Sequence, residues 1–123
     1  MADGGIKEPG YAAAAIAAGA DTIMMGSEFA RCRESAKFTE RVKAVGDRNV
    51  AEYWGSASDR TNVLMGNGKS NVAEGTIKLL KVNEEGAEHL LLGYRIGFGS
   101  AFSYGGALGI EQFRENNHYL LKY

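Results

Sequence analysis

Residues 2–27 read ADGGIKEPGYAAAAIAAGADTIMMGS and carry the strongest signal of fold class in the chain. A helix is expected at residues 10–18, because alanine has the highest intrinsic helix propensity. Pro9 suits its first turn and Gly19 its C-terminal cap. A short apolar strand is expected next, at residues 22–25. This alternation of helix and strand is typical of α/β proteins with parallel strands.

A glycine-bearing turn precedes the alanine-rich helix, and a second one precedes a short helix predicted to begin near Ser27. The first turn is Asp3-Gly4-Gly5 and the second is Gly26-Ser27. Helix N-termini present unpaired N–H groups and a partial positive charge, and glycine lets a phosphate approach the backbone. A single Gly-Gly turn is more often only a tight turn. Two such turns on consecutive β/α units lie side by side and predict a phosphate site, with the Ser27 hydroxyl as a further donor.

Composition excludes several classes of function. The 123 residues suffice for one small domain with a core, and the formal net charge of -1 gives no basic field for nucleic acid. No apolar run approaches the roughly 20 residues that span a bilayer. The single cysteine, Cys32, excludes an internal disulfide and fits a reducing cytoplasm. No pair of histidines, cysteines or carboxylates has metal-ligand spacing, so no metal site is predicted.

The central part of the sequence predicts a hairpin followed by a long loop. Residues 41–54, RVKAVGDRNVAEYW, alternate on both sides of Gly46-Asp47, which is a strong cue for a tight β-turn. Residues 55–75 are polar and rich in glycine. A stretch of this length without periodicity is typical of a functional lid or a disordered loop. Arg60 within it is most simply a solvated charge.

The last part of the sequence predicts a strand, TIKLLKV, and then a helix over residues 84–96. Glu84 and Glu85 are expected in the first turn of that helix, where its dipole favours negative charge. Residues 106–123 predict a short helix and then an extended end. The apolar side chains at helical spacing in residues 84–96 are Ala87, Leu90, Leu91 and Tyr94.

Five motifs occur together in a familiar order: ADGGI, AAGADTIMMGSEFARCRESA, EYWGSASDR, AEG and GYRIGFGSAFSYGGALGIEQFREN. Their order and spacing resemble the C-terminal third of IMP dehydrogenase and of its relative GMP reductase, and they cover residues 2–116. The form EYWG is more similar to IMP dehydrogenase. The resemblance implies an α/β fold, the C-terminal part of a (β/α)8 TIM barrel with a hairpin and a flap insertion.

The same resemblance implies a single domain over residues 1–123 that is an incomplete barrel. Residues 1–36 are expected to hold the two phosphate-turn β/α units, residues 37–76 the hairpin and flap, and residues 77–123 the last helix and C-terminal tail. A strand before Asp3 has almost no room, so Asp3 is expected to lack its supporting strand.

Functional residues follow from the resemblance by position. The implied substrate-binding residues are Asp3, Gly4, Gly5, Gly26, Ser27, Tyr53, Gly55, Ser56 and Glu74. Asp3 is implied as the ligand of the ribose hydroxyls, Tyr53 as a further phosphate contact and Glu74 as the reader of the base edge. The backbone of Gly55 and Ser56 is implied to contact the purine. Residues 56–72 correspond to the flap.

The flap also bears on catalysis, because in the family it carries an Arg-Tyr pair whose arginine activates water. The closest match here is Arg60, which is followed by Thr61, so Arg60 is the implied catalytic residue despite the departure from the pattern.

The family oxidises IMP to XMP with NAD through a covalent intermediate on a cysteine. The loop that carries this cysteine has no counterpart here, and Cys32 does not replace it. We therefore expect a chain that binds a purine monophosphate, is inactive alone and does not bind NAD by itself. Its expected partners are copies of itself or a missing N-terminal barrel portion, with no nucleic acid or membrane. The alternatives are a non-catalytic remnant that holds a purine monophosphate or phosphate, and a GMP reductase-like fragment.

Overall fold

The computed structural model describes residues 1–35, 42–45, 48–55, 58–66 and 77–117. In chain order the elements are β1 (Ala2–Asp3), α1 (Pro9–Ala17), β2 (Ile23–Met24), α2 (Gly26–Ala30), β3 (Val42–Val45), β4 (Arg48–Tyr53), α3 (Asp59–Leu64), β5 (Lys78–Lys81), α4 (Gly86–Tyr104) and α5 (Ile110–Asn117). Helices and strands alternate through the first part of the chain, so the α/β class expected from the sequence is confirmed.

The chain divides into two compact units. The first joins both ends of the sequence, Met1–Glu28 and Ala87–Tyr123, and the second is Phe29–Gly86. The sequence instead predicts divisions after residues 36 and 76. That the whole chain is one domain stays a prediction.

Two short parallel strands lie in the first unit. Ala2 pairs with Ile23 and Asp3 pairs with Met24, and the N–H of Ala2 donates to the carbonyl of Thr22 at 2.8 Å. The expectation that Asp3 lacks a supporting strand is therefore wrong. Two residues suffice because the neighbouring strand offers its backbone groups to them in parallel register.

Helix α1 lies within one residue of its predicted range of 10–18 at both ends. Pro9 is its first residue, where the absent N–H breaks no intrahelical bond. Gly19 follows the C-terminal cap with φ of 103°, a left-handed conformation that glycine adopts without steric cost. Arg114 supplies hydrogen bonds to backbone carbonyls at this end of the helix. Its guanidinium donates to the carbonyls of Ile16 at 3.2 Å and Ala20 at 2.7 Å.

The core of the first unit is built from helices α1, α4 and α5. Its buried members are Ala13, Ile16, Ala107 and Phe113, and its partly buried members are Ala17, Ile23, Phe98, Ala101 and Phe102. The rings of Phe102 and Phe113 lie 4.6 Å apart between centroids, and the ring of Phe98 meets Phe102 edge-on at 6.3 Å. Small side chains on α1 let these rings approach its backbone.

The second unit contains a three-stranded antiparallel sheet in the order β3-β4-β5. Val45 lies opposite Arg48, and the Gly46-Asp47 turn predicted between them is outside the described residues. Tyr53, the last residue of β4, lies opposite Lys78 at the start of β5. The strand predicted from TIKLLKV is thus present as β5.

Two elements differ from their sequence predictions. The predicted loop contains α3, which begins because the Ser58 hydroxyl accepts a hydrogen bond from the N–H of Thr61. Helix α4 starts at Gly86, so Glu84 and Glu85 precede it instead of lying in its first turn. That helix also continues to Tyr104, well beyond its predicted end, because its later turns bury Phe98, Ala101 and Phe102 in the core.

Candidate functional site

The ends of β1 and β2 bring the two predicted phosphate turns to the same edge of the strand pair. Asp3 and Met24 are the last residues of the two strands and face each other in parallel register. Gly4-Gly5 therefore leaves this edge next to the chain that enters α2 at Gly26. In parallel α/β structures, this carboxyl edge of the strands is where ligands bind.

Both glycines of the first turn are required by the backbone. Gly4 has φ of 91° and Gly5 has φ of 73°, so a side chain at either position would be strained. A Cβ at either position would meet no atom within 4 Å beyond its own chain neighbours, and both residues are exposed. The turn is therefore open to solvent. Asp3, beside it, is also exposed.

The second turn passes directly into α2. Gly26 is the first helical residue and is exposed, while Ser27 is half-buried. Glu28 follows in the same turn of helix and is buried. A buried carboxylate next to a predicted phosphate turn is unexpected, because it places negative charge beside a site for an anion.

Tyr94 of α4 is the second buried polar group of this unit that the sequence did not single out as functional. Its side chain is 6% exposed, and its hydroxyl has no hydrogen-bond partner among the described residues. Burial raises the pKa of the Tyr94 phenol above its ordinary value of 10.0, and the charges of Glu28 and then Glu8 raise this pKa further. The hydroxyl therefore keeps its proton at neutral pH.

This raised pKa predicts how stability depends on pH. In the unfolded chain the phenol ionises near 10.0, whereas the folded chain holds it neutral to higher pH. The contribution of this group to stability is therefore complete below about pH 10 and is lost as pH rises through the raised pKa. Urea unfolding at several pH values should show that wild type loses more stability above this pH than Tyr94→Phe does. Parallel losses in the two proteins would contradict the prediction.

The predicted site residues of the second unit lie partly outside the described residues, as Ser56 and Glu74 do. Tyr53 is half-buried at the end of β4. The Gly55 carbonyl accepts hydrogen bonds from the Thr61 hydroxyl at 3.0 Å and the Ser58 N–H at 3.2 Å. The start of α3 is thereby tied to the end of β4.

Arg60, the residue implied for catalysis, already has two neighbours in the second unit. Its guanidinium carbon lies 5.0 Å from the centroid of the Trp54 ring, and one of its nitrogens is 3.9 Å from a carboxylate oxygen of Glu52. These contacts hold Arg60 and the start of α3 against the end of β4.

The described residues contain neither a cluster of metal-ligating side chains nor a membrane-spanning helix. No group of three or more histidine, cysteine or acidic side chains there is arranged to hold a metal ion. Over the same residues, no helix combines the length and the apolar character needed to cross a bilayer.

Comparison with known proteins identifies the family. A sequence profile described as "IMP dehydrogenase / GMP reductase domain" matches residues 1–122. The chain therefore belongs to the IMP dehydrogenase/GMP reductase family, and the resemblance seen in its motifs is confirmed.

Individual relatives come from both branches of this family. The chain is 34% identical to an inosine-5'-monophosphate dehydrogenase of Halobacterium salinarum, over 90% of this chain and 19% of that protein. It is 31% identical to a GMP reductase of Lysinibacillus sphaericus, over 99% of this chain and 35% of that protein. The chain thus spans between about a fifth and a third of the length of these relatives.

A solved structure agrees with the fold. GMP reductase from Trypanosoma brucei, in complex with guanosine 5'-monophosphate, matches with a TM-score of 0.80 and 29% identity. The match covers 94% of this chain and 24% of that one. The mixed helix and strand arrangement is therefore that of a part of GMP reductase.

Proposed function

We propose that this chain supplies the purine-nucleotide-binding part of an IMP dehydrogenase-like oxidoreductase, an enzyme that oxidises IMP to XMP with NAD in purine nucleotide biosynthesis. The phosphate of IMP, or of another purine monophosphate, is bound by the backbone of Gly4, Gly5 and Gly26 and by the hydroxyl of Ser27. Asp3 accepts hydrogen bonds from the ribose hydroxyls.

One observation carries this proposal: the two glycine turns leave the same edge of a parallel strand pair whose ends are in register. Phosphate sites of (β/α)8 barrels are commonly built from loops of this kind on neighbouring strands. Membership of the family supports a nucleotide as the ligand. We accordingly propose β1 and β2 as two neighbouring strands of a barrel of which this chain forms a part.

Further substrate contacts are proposed from the family resemblance. Tyr53 contributes a phosphate contact, Gly55 and Ser56 contact the purine through their backbone, and Glu74 reads the base edge. Arg60 is proposed as the flap arginine that activates water. To act, its guanidinium leaves the Trp54 ring, a contact worth about 0.5–1 kcal/mol at an exposed site.

The isolated chain is proposed to bind nucleotide without oxidising it. The family's reaction needs a reactive cysteine thiol, and the single cysteine of this chain, Cys32, is buried. NAD would react only in an assembly that adds such a cysteine. Mixing the chain with one that carries the remaining barrel strands and the cysteine loop, and following NADH absorbance, tests this. Absence of turnover in a demonstrably formed complex would contradict the enzymatic role.

Association with another chain is proposed for the same reason. Leu91, Leu92 and Ile96 of α4 are exposed, and apolar patches of this kind mark contact surfaces. The partner is a second copy of this chain or a chain that supplies the rest of the barrel. Sedimentation of the purified chain is expected to show species larger than a monomer, and a single monomeric species that melts cooperatively would argue against association.

The binding site itself is tested by two substitutions that distinguish recognition of the phosphate from recognition of the ribose. Ser27→Ala removes a donor to the phosphate. It is expected to lower the affinity for both IMP and inorganic phosphate about tenfold, the equivalent of about 1.4 kcal/mol of binding free energy. Asp3→Asn is expected to lower the affinity for IMP but to leave the affinity for inorganic phosphate unchanged. Isothermal titration calorimetry measures both affinities.

The matched control for these variants is Ser100→Ala, because Ser100 is exposed on α4 and belongs to no proposed site. It should leave both affinities as in the wild type. If the wild-type chain binds neither IMP, GMP nor phosphate, the proposed binding function is wrong.

A GMP reductase-like function is the second candidate. It is favoured by the GMP reductase relative, which matches nearly the whole of this chain, and by the solved GMP reductase, which holds guanosine 5'-monophosphate. Tighter binding of GMP than of IMP would favour this candidate. Equal binding of both, without activity in any assembly, would favour a non-catalytic remnant.

A further inference from the structure

The proposed phosphate site has only neutral donors, and carboxylates flank it. Its donors are the backbone N–H groups of the two glycine turns and the hydroxyl of Ser27. Asp3 immediately precedes the first turn and is exposed, while Glu28 immediately follows Ser27 and is buried. A phosphate monoester carries a charge of about −1.5 to −2 at pH 7. Because like charges repel, these groups alone would bind it weakly, and a cation beside the site is needed.

The lysine and arginine side chains described in the first unit are those of Lys7, Arg95 and Arg114. Arg114 is already engaged, because it donates to two backbone carbonyls and lies 2.9 Å from the Asp21 carboxylate. Arg95 lies within α4, which contributes no turn to the site. Lys7 is exposed and makes no hydrogen bond or ion pair with any described residue, its neighbour Glu8 included. Its charge is therefore available to a ligand.

The position of Lys7 in the chain places it beside the first glycine turn. It stands two residues after Gly5 and immediately before Glu8, the N-cap residue of α1. Cα atoms two residues apart are separated by at most about 7 Å, and the flexible four-carbon stem of lysine carries its ammonium over a comparable distance. Ile6 is half-buried, whereas Gly5 and Lys7 on either side of it are exposed. The Lys7 ammonium is thus within reach of an anion at this turn.

We propose that Lys7 supplies the counter-charge of the phosphate site: its ammonium forms an ion pair with the phosphate of the bound nucleotide and offsets the carboxylates of Asp3 and Glu28. This inference rests on the proposed function of the two glycine turns. The backbone N–H groups fix where the phosphate lies, and Lys7 adds a point charge on a flexible stem. The site accordingly selects a nucleoside monophosphate over an uncharged nucleoside.

Isothermal titration calorimetry of the 123-residue chain with IMP and with inorganic phosphate, in about 0.1 M salt, tests this role. Lys7→Gln is expected to lower the affinity for both ligands about tenfold, because it removes a charged donor to the phosphate. Lys7→Arg keeps the charge and should stay within about threefold of the wild-type affinity.

The salt dependence of binding distinguishes a counter-charge from a structural role of Lys7. Raising the salt concentration to about 1 M shortens the Debye length from about 10 Å to about 3 Å. The wild-type chain and Lys7→Arg should then lose affinity for phosphate severalfold, whereas Lys7→Gln should lose little. If Lys7→Gln has a low affinity but keeps the wild-type salt dependence, the residue acts through the fold and the proposal is wrong.

Lys81→Gln is the matched control, because it removes the same charge from an exposed lysine of β5 that belongs to no proposed site. It should bind both ligands as the wild-type chain does. If Lys7→Gln also binds both ligands with wild-type affinity, or if Lys81→Gln lowers the affinities as much as Lys7→Gln, Lys7 is not the counter-charge. Failure of the proposed function is a separate outcome, because the wild-type chain then binds neither ligand and this inference falls with it.

Discussion

Replacing Phe113 by alanine is expected to lower the free energy of unfolding of the first unit by about 3–5 kcal/mol. The side chain is 3% exposed and packs on the Phe102 ring with 4.6 Å between centroids. It also contacts the buried face of α1 through the cluster that contains Ala13 and Ile16. Alanine would leave a cavity among helices whose backbones cannot close it without moving. Urea unfolding followed by far-ultraviolet circular dichroism measures the loss.

The control for this substitution is Leu108→Ala, which removes a comparable apolar side chain that is 99% exposed. Its effect should stay within about 0.5 kcal/mol, as is usual for surface positions. If Phe113→Ala lowers the free energy of unfolding no more than Leu108→Ala does, helix α5 does not pack on α1 as described. Phe113 is then not part of the core of the first unit.

The first β/α units are well predicted from sequence because their signals are local. The alanine run, Pro9 and Gly19 act within single helical turns, and the structure places α1 at Pro9–Ala17. Strand β1 escapes prediction, because two residues carry no periodicity. They are extended only through pairing with β2, which is a tertiary effect.

Helix α4 shows a second limit of local reasoning. Apolar spacing predicts the helix only over residues 84–96, and the glycines at positions 97 and 99 lower intrinsic helix propensity beyond it. The helix continues to Tyr104 because its inward face packs in the core. Spacing also predicts Leu91 on that inward face, but Leu91 is exposed.

The candidate site, too, is only partly predictable from the sequence. The two glycine turns are visible as motifs, and the pairing of Asp3 with Met24 brings them to one edge. The roles proposed for their residues stay predictions. The sequence assigns no role to Glu28 and places Tyr94 only among the apolar side chains at helical spacing. Periodicity finds which side of a helix is buried, but not whether a polar group on that side finds a hydrogen-bond partner.

Gly97→Ala is the second substitution with a large expected effect. A Cβ at this position would overlap the Cβ of Pro9 and approach its Cγ to 2.9 Å, and the proline ring cannot rotate away. Helix α1 would have to shift from α4, at a cost of about 1–3 kcal/mol for overpacking. This loss outweighs the gain in helix propensity of about 0.5–1 kcal/mol that alanine normally gives over glycine. Urea unfolding should therefore show a destabilised chain.

Gly99→Ala separates the steric effect from propensity. Gly99 lies in the same helix and is exposed, and a Cβ added there would meet no atom outside its own stretch of helix within 4 Å. Alanine at this position should therefore stabilise the chain by about 0.5–1 kcal/mol. The two alanines should thus change stability in opposite directions, a contrast that intrinsic propensity alone cannot produce. If both stabilise equally, the close contact of Pro9 with α4 is wrong.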